Sequence, residues 1–108
     1  MSSFGKLRAL RHLQKKLLPV LHTAADLDIV LELGYSQDCT RPLGTKALLA
    51  LNLGAPATIS RRLSRLKKLG IVRVRSTQGD GRRHDLVLSA SFRRNFENLS
   101  RASSRALA

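Results

Sequence analysis

Residues 53–72 read Leu-Gly-Ala-Pro-Ala-Thr-Ile-Ser-Arg-Arg-Leu-Ser-Arg-Leu-Lys-Lys-Leu-Gly-Ile-Val. Ile59, Leu63, Leu66 and Leu69 recur at helical spacing and form one apolar stripe, while Thr58, Ser60, Arg61, Ser64, Arg65 and Lys68 lie off it. The spacing predicts a helix over about residues 56–69 that packs on one side and meets solvent or a ligand on the other. Its punctuation agrees. Gly54 offers a backbone free to take positive φ ahead of the helix, Pro56 suits a first turn where its missing N–H would be unpaired, and Gly70 stops the helix.

Upstream, Thr45-Lys46-Ala47-Leu48-Leu49-Ala50-Leu51 predicts a short helix opened by Thr45, joined to the next by only a few residues. Two helices so tightly joined form a helix-turn-helix unit, whose second helix is shaped for the major groove of DNA. Downstream, Ile71-Val72-Arg73-Val74-Arg75 alternates apolar and cationic residues, and Leu86-Val87-Leu88 is a second apolar run. The polar stretch Ser76–Asp85 between them holds Gly79 and Gly81, which predicts a β-hairpin over about 72–88 with a long basic tip, or wing. A basic amphipathic helix alone is also what an ordinary solvated surface helix looks like. The tight turn before it and the hairpin after it favour the nucleic-acid reading. Thr58, Ser60 and Arg61 then face base edges or nearby phosphates, Pro56 and Ala57 stand at the approaching helix end, and Arg65, one turn beyond Arg61, binds the backbone.

These residues resemble the winged-helix regulators of the MarR type. The likeness rests on Leu-Gly-x-x-x-x-Ile-Ser-Arg at Leu53 through Arg61, Leu-x-x-Leu-Gly-Ile-Val at Leu66 through Val72, and Asp80-Gly81-Arg82-Arg83 followed by a strand that ends Leu88-Ser89. The wing motif at this distance is the more specific part, and the match covers roughly Thr23 to Ser89. The resemblance implies a dimeric transcription regulator, usually a repressor, with Arg82 or Arg83 entering the minor groove. It also implies that Asp80 orients a wing arginine through an ion pair; as a residue of Gly79-Asp80-Gly81 it equally suits a plain turn former. The chain departs from the family in its shorter C-terminal helical region and in Ser89, where Thr is commoner.

Further upstream, Ala24 to Tyr35 predicts a helix capped by Thr23, with Asp26 and Asp28 near its positive end and Leu27, Val30, Leu31 and Gly34 facing inward. Pro19 marks the break before it, and Ser36–Leu43, with Pro42, reads as a loop. At the ends, Phe4, Leu7, Leu10 and Leu17, and then Phe92, Phe96 and Leu99, recur at helical spacing. A winged-helix core needs neither stripe. The expectation is that residues 1–22 and 90–108 form helices that pair with each other and across a two-fold axis, the alternative being that they fold back on their own domain. The predicted architecture is therefore mainly α with a small β-hairpin: one winged helix-turn-helix domain over residues 1–108, its core at 23–89, flanked by N- and C-terminal dimerisation helices.

Charge supports this reading independently. The 108 residues carry 20 Lys and Arg against 7 Asp and Glu, a formal net charge of +13. Pro56–Asp85 holds nine basic and two acidic residues and Met1–Leu18 five and none, whereas Pro19–Ala55 holds two and four. Such a field attracts a polyanion. Double-stranded DNA, as an inverted repeat read by a homodimer, is the expected partner. A different class, an architectural protein that coats DNA with little sequence preference, is favoured by the charge on the terminal helices; an adaptor docking an acidic protein is a third. RNA is weaker, because the aromatics that stack single-stranded bases are few.

No stretch reaches transmembrane length and no N-terminal run has signal-peptide anatomy, so a cytoplasmic location without membrane contact is expected. Cys39 is the only cysteine, which excludes an internal disulfide; it reads as inert, since its neighbour Asp38 would not lower a thiol pKa. His12, His22 and His84 have no ligand spacing, and neither a catalytic triad, a carboxylate pair nor a phosphate-binding glycine loop is present. No metal, cofactor or catalytic activity is expected, and nothing in the residues singles out a small-molecule effector.

Overall fold

A computed structural model of the chain describes residues 2–17, 19–76 and 84–107, with side chains omitted at 17, 100 and 103–107. Among the described residues seven elements follow in order: α1 (Ser3–Leu17), α2 (Ala24–Asp38), α3 (Thr45–Leu49), α4 (Pro56–Lys68), β1 (Val72–Ser76), β2 (His84–Leu88) and α5 (Ala90–Leu107). The fold is mainly helical with one antiparallel hairpin, as the periodicities predict. It divides into two compact units, Thr23–Ser89 and the terminal pair Met1–His22 with Ala90–Ala108.

In the unit spanning Thr23–Ser89, helices α2, α3 and α4 and the hairpin enclose one core. Ile29, Val30 and Leu33 of α2, Leu48 of α3, and Ile59, Leu63 and Leu66 of α4 are buried with Ile71, Val72, Leu86, Val87 and Leu88. Each such side chain withdrawn from water contributes on the order of 1.5–3 kcal/mol. The α4 stripe ends one turn sooner than expected, for Leu69 is 49% exposed. Gly70, at φ +75°, bends the chain back so that the Ile71 N–H bonds Leu66 O at 3.0 Å and the Gly70 N–H bonds Lys67 O at 3.0 Å. That is a Schellman closure, and Ile71 takes the buried place beside Leu66.

The inward face of α2 also differs from the expected one. Leu31 is 44% exposed, whereas Ile29 and Leu33 are fully buried. Five of the seven residues from Leu27 to Leu33 are apolar, so periodicity alone could not choose the stripe; contacts with α4 on one side and β2 on the other do. Thr23 caps α2 in a reciprocal box, its hydroxyl accepting from the Asp26 amide and the Asp26 carboxylate accepting from the Thr23 amide, each at 3.2 Å. The helix runs past Tyr35 to Asp38. Its exit repeats the Schellman pattern with Thr40 at φ 56°: Thr40 N–H bonds Gln37 O at 3.1 Å and Arg41 N–H bonds Ser36 O at 2.9 Å.

Two further local expectations are corrected. Gly44, not Thr45, stands at the N-cap of α3. The positive φ between α3 and α4 falls on Asn52, at 56°, and not on Gly54. Asn tolerates the left-handed region, and α3 ends early enough that the turn is made before the glycine is reached.

The hairpin pairs Val72 with Leu88 through to Ser76 with His84. The segment expected to be loop also contributes a bridge, in which the Leu86 N–H bonds Leu43 O at 2.8 Å. A Cβ on Gly44 would stand 3.2 Å from His84 O, so the close approach of this loop to β2 needs a glycine. In the terminal unit, α1 packs on α5. Phe92 and Leu99 are buried, and the Phe92 and Phe96 rings lie 6.5 Å apart at 40°. Among the described residues, no helix is long and apolar enough to cross a membrane.

Candidate nucleic-acid interface

With Ile59, Leu63 and Leu66 committed to the core, the opposite side of α4 is fixed by geometry. Pro56, Ala57, Ser60, Arg61, Ser64, Lys67 and Lys68 are exposed on it, and Thr58 is half-buried at its flank. The N-terminus of this helix has no side-chain cap, since Ala55 precedes Pro56. Arg73 and Arg75 are exposed on β1, paired with Val87 and Asp85 of β2. At the last described rung of the hairpin, Ser76 Oγ and His84 Nδ1 are 3.0 Å apart. Asp80, Arg82 and Arg83, expected at the wing tip, lie outside the described residues.

The arginines of α4 differ in their surroundings. Arg61 stands in solvent. Arg62 forks onto Asp26, with Nε 2.7 Å from Oδ1 and Nη2 2.5 Å from Oδ2. Arg65, expected at the DNA backbone, reaches the same Oδ2 through Nη1 at 3.5 Å. Asp26 itself is fully buried. The hydrogen bonds to its carboxylate raise the Arg62 pKa above the ordinary guanidinium value, against the opposing effect of burial. A charged carboxylate in a core is stable only when paired and hydrogen-bonded, and Arg62, Arg65 and the Thr23 amide meet that need. Asp26 thus ties α2 to α4 as well as opening α2.

Of the residues expected to dimerise, Phe92 and Leu99 are buried within the single chain, Leu10 and Phe96 are half-buried, and Leu7 is 62% exposed. Phe4 beside it is 86% exposed. The Leu17 side chain lies outside the described residues. A cavity of about 340 Å³ is lined by Arg11, Lys15, Pro19, Leu21 and His22. Cys39 is an exposed free thiol, and its hydrogen bond to Tyr35 raises the tyrosine pKa above its usual value. Among the described residues, no group of three His, Cys, Asp or Glu side chains is placed to hold a metal ion.

No protein-family model matches the sequence, and no curated protein matches it either. Solved structures do. The chain superposes on a crystal structure of MarR at TM-score 0.63 and 20% identity, covering 94% of this chain and 72% of that one. The fold is that of the MarR regulators. A mutant of MepR from S. aureus matches at TM-score 0.65 and 16% identity, over 97% of this chain and 79% of its own. A mutant MarR from E. coli, complexed with operator DNA, matches at TM-score 0.59 and 19% identity, over 91% and 68%. The MarR likeness thus extends over the terminal helices as well as the winged helix, although the sequence motifs that suggested it cover only Thr23 to Ser89.

Proposed function

We propose that this chain is a sequence-specific regulator of transcription that binds double-stranded DNA as a homodimeric repressor. Helix α4 enters the major groove with Thr58, Ser60 and Arg61 toward base edges, Pro56 and Ala57 at the approach, and Arg65 on the backbone. The wing carries Arg82 or Arg83 into the minor groove, with Asp80 orienting the arginine. The observation that carries this reading is the division of α4 into a buried stripe at Ile59, Leu63 and Leu66 and an opposite, exposed hydroxyl and cationic face. A fold neighbour complexed with operator DNA supports it.

The dimer is proposed from Phe4 and Leu7, large apolar side chains in solvent on α1. Leu10 and Leu17 stand on the same helix and Phe96 on α5, whereas Phe92 and Leu99, already buried within one chain, would support the interface from beneath. Two-fold symmetry then calls for an inverted repeat with half-sites about one helical turn apart.

Selection of bound sequences from a random duplex pool tests site preference and symmetry together. On the selected site, Arg61→Ala costs on the order of 1–3 kcal/mol and relaxes specificity, whereas Arg65→Ala weakens all duplexes alike. Equal losses on specific and random DNA for both variants refute the assignment of roles. The charge of the terminal helices favours a second reading, an architectural protein: five basic and no acidic residues in Met1–Leu18 exceed what a repressor needs. Competition at physiological salt separates the two, since an operator binder prefers its site by ~10³ or more.

A further inference from the structure

Asp26 is a fully buried carboxylate placed between two arginines of the helix proposed to read DNA. Arg62 is engaged by both Nε and Nη2, at 2.7 and 2.5 Å, in the two-bond fork that fixes a guanidinium plane. Arg65 reaches the same carboxylate, with Nη1 3.5 Å from Oδ2, and its side chain is 26% exposed. A guanidinium has five N–H donors in a rigid plane, so one edge turned to a carboxylate presents another edge outward.

We infer that Asp26 is a positioning residue for DNA binding: it locks Arg62 as a strut between α2 and α4 and sets the Arg65 guanidinium, edge-on, toward a backbone phosphate. The inference rests on the DNA-binding function proposed above. Its physical basis is entropic. A long side chain ordered only on binding reduces affinity, whereas one already ordered by folding does not, a difference worth about two- to tenfold in affinity per side chain. The Asp26 charge also opposes a phosphate, but the carboxylate is bonded to two arginines, so the cluster of Asp26, Arg62 and Arg65 carries one net positive charge. With Arg62 neutralising the carboxylate, the orienting effect on Arg65 decides the sign.

The test is a double-substitution cycle read by duplex titration at physiological salt, with thermal melts confirming that each variant is folded at the assay temperature. Asp26→Asn is expected to weaken duplex binding about two- to tenfold. Arg65→Gln should weaken it and lower the slope of log affinity against log salt by about one. The double variant should bind no more weakly than Arg65→Gln alone, because Asp26 acts through Arg65. In the parallel cycle with Arg62→Gln, coupling should appear in melting temperature and not in affinity. Arg65→Lys supplies a second arm should Asp26→Asn fail to fold: the point charge keeps the salt slope, but without the planar fork affinity falls about two- to tenfold. Additive losses in the Asp26–Arg65 cycle, tighter binding by Asp26→Asn, an unchanged salt slope for Arg65→Gln, or wild-type affinity for Arg65→Lys would each overturn the inference. Should the unsubstituted protein bind no duplex in a salt-dependent way, the DNA-binding reading itself fails, an outcome distinct from absence of coupling in a protein that binds.

Discussion

Replacing Gly70 by alanine isolates one conformational effect at the junction between the reading helix and the hairpin. Gly70 sits at φ +75°, and a Cβ built there meets nothing within 4 Å, so no clash contributes. What remains is the cost of holding an L-residue in the left-handed region, roughly 1–2 kcal/mol. Alanine also loses less freedom on folding than glycine, which offsets about 0.4–1 kcal/mol of that cost. The net expectation for Gly70→Ala is a destabilisation of about 1 kcal/mol, or a fall of about 4 °C in Tm for a chain of this size. Urea unfolding with an unchanged m-value, together with a thermal melt, measures it. Gly70→Asn should recover part of the loss, because asparagine tolerates this region. Stability equal to or above the parent would refute the reasoning, and so would a loss well beyond 2 kcal/mol, which would mean that the closure onto Leu66 and Lys67 had broken.

Other substitutions extend the same logic. Thr40 occupies the equivalent position after α2 at φ 56°, and its exposed hydroxyl donates to the adjacent Cys39 carbonyl, a bond that water can replace, so Thr40→Gly should raise stability by about 0.5–1 kcal/mol in denaturant titration. Gly44→Ala should lower it by about 1 kcal/mol, since the added carbon meets a backbone oxygen, His84 O, at 3.2 Å and cannot push it aside cheaply. Ala55→Asp supplies the missing cap of α4 and should raise Tm through about 1 kcal/mol. It also places a negative charge at the proposed groove, so duplex affinity measured by anisotropy should fall. Leu7→Asp should shift sedimentation toward the monomer while leaving the far-ultraviolet dichroism unchanged.

The elements most legible in the sequence are those where one periodicity stands against a polar background. Helix α4 is such a case: Ile59, Leu63 and Leu66 alternate with arginine, lysine and serine, and only one face can be buried. Helix α2 is the converse. Leu27, Ile29, Val30, Leu31 and Leu33 leave no unique stripe, so its rotation is set by what packs on it. Turn chemistry was partly legible, for Gly70 does take the positive φ, yet Asn52 takes the one expected of Gly54. The role of Asp26 was missed, although a signal existed. It lies three, four and seven residues before Ile29, Val30 and Leu33, on their own face of the helix, and a charge on a buried face requires a partner. That Arg62 supplies it depends on how the helices cross, which local spacing does not encode.

Helix α2 is anchored at both ends to the parts proposed to touch DNA. Near its start, Asp26 grips Arg62 of α4; near its end, the Gln37 side-chain oxygen accepts the Leu88 amide at 3.1 Å, and Gly34 lets the Leu88 methyl come within 3.2 Å of where a Cβ would stand. A rod of this length, about 22 Å, works as a yoke. Because one helix grips both α4 and β2, the length of that rod sets the spacing between the proposed groove helix and the base of the hairpin, and the two would meet a duplex as a fixed gauge.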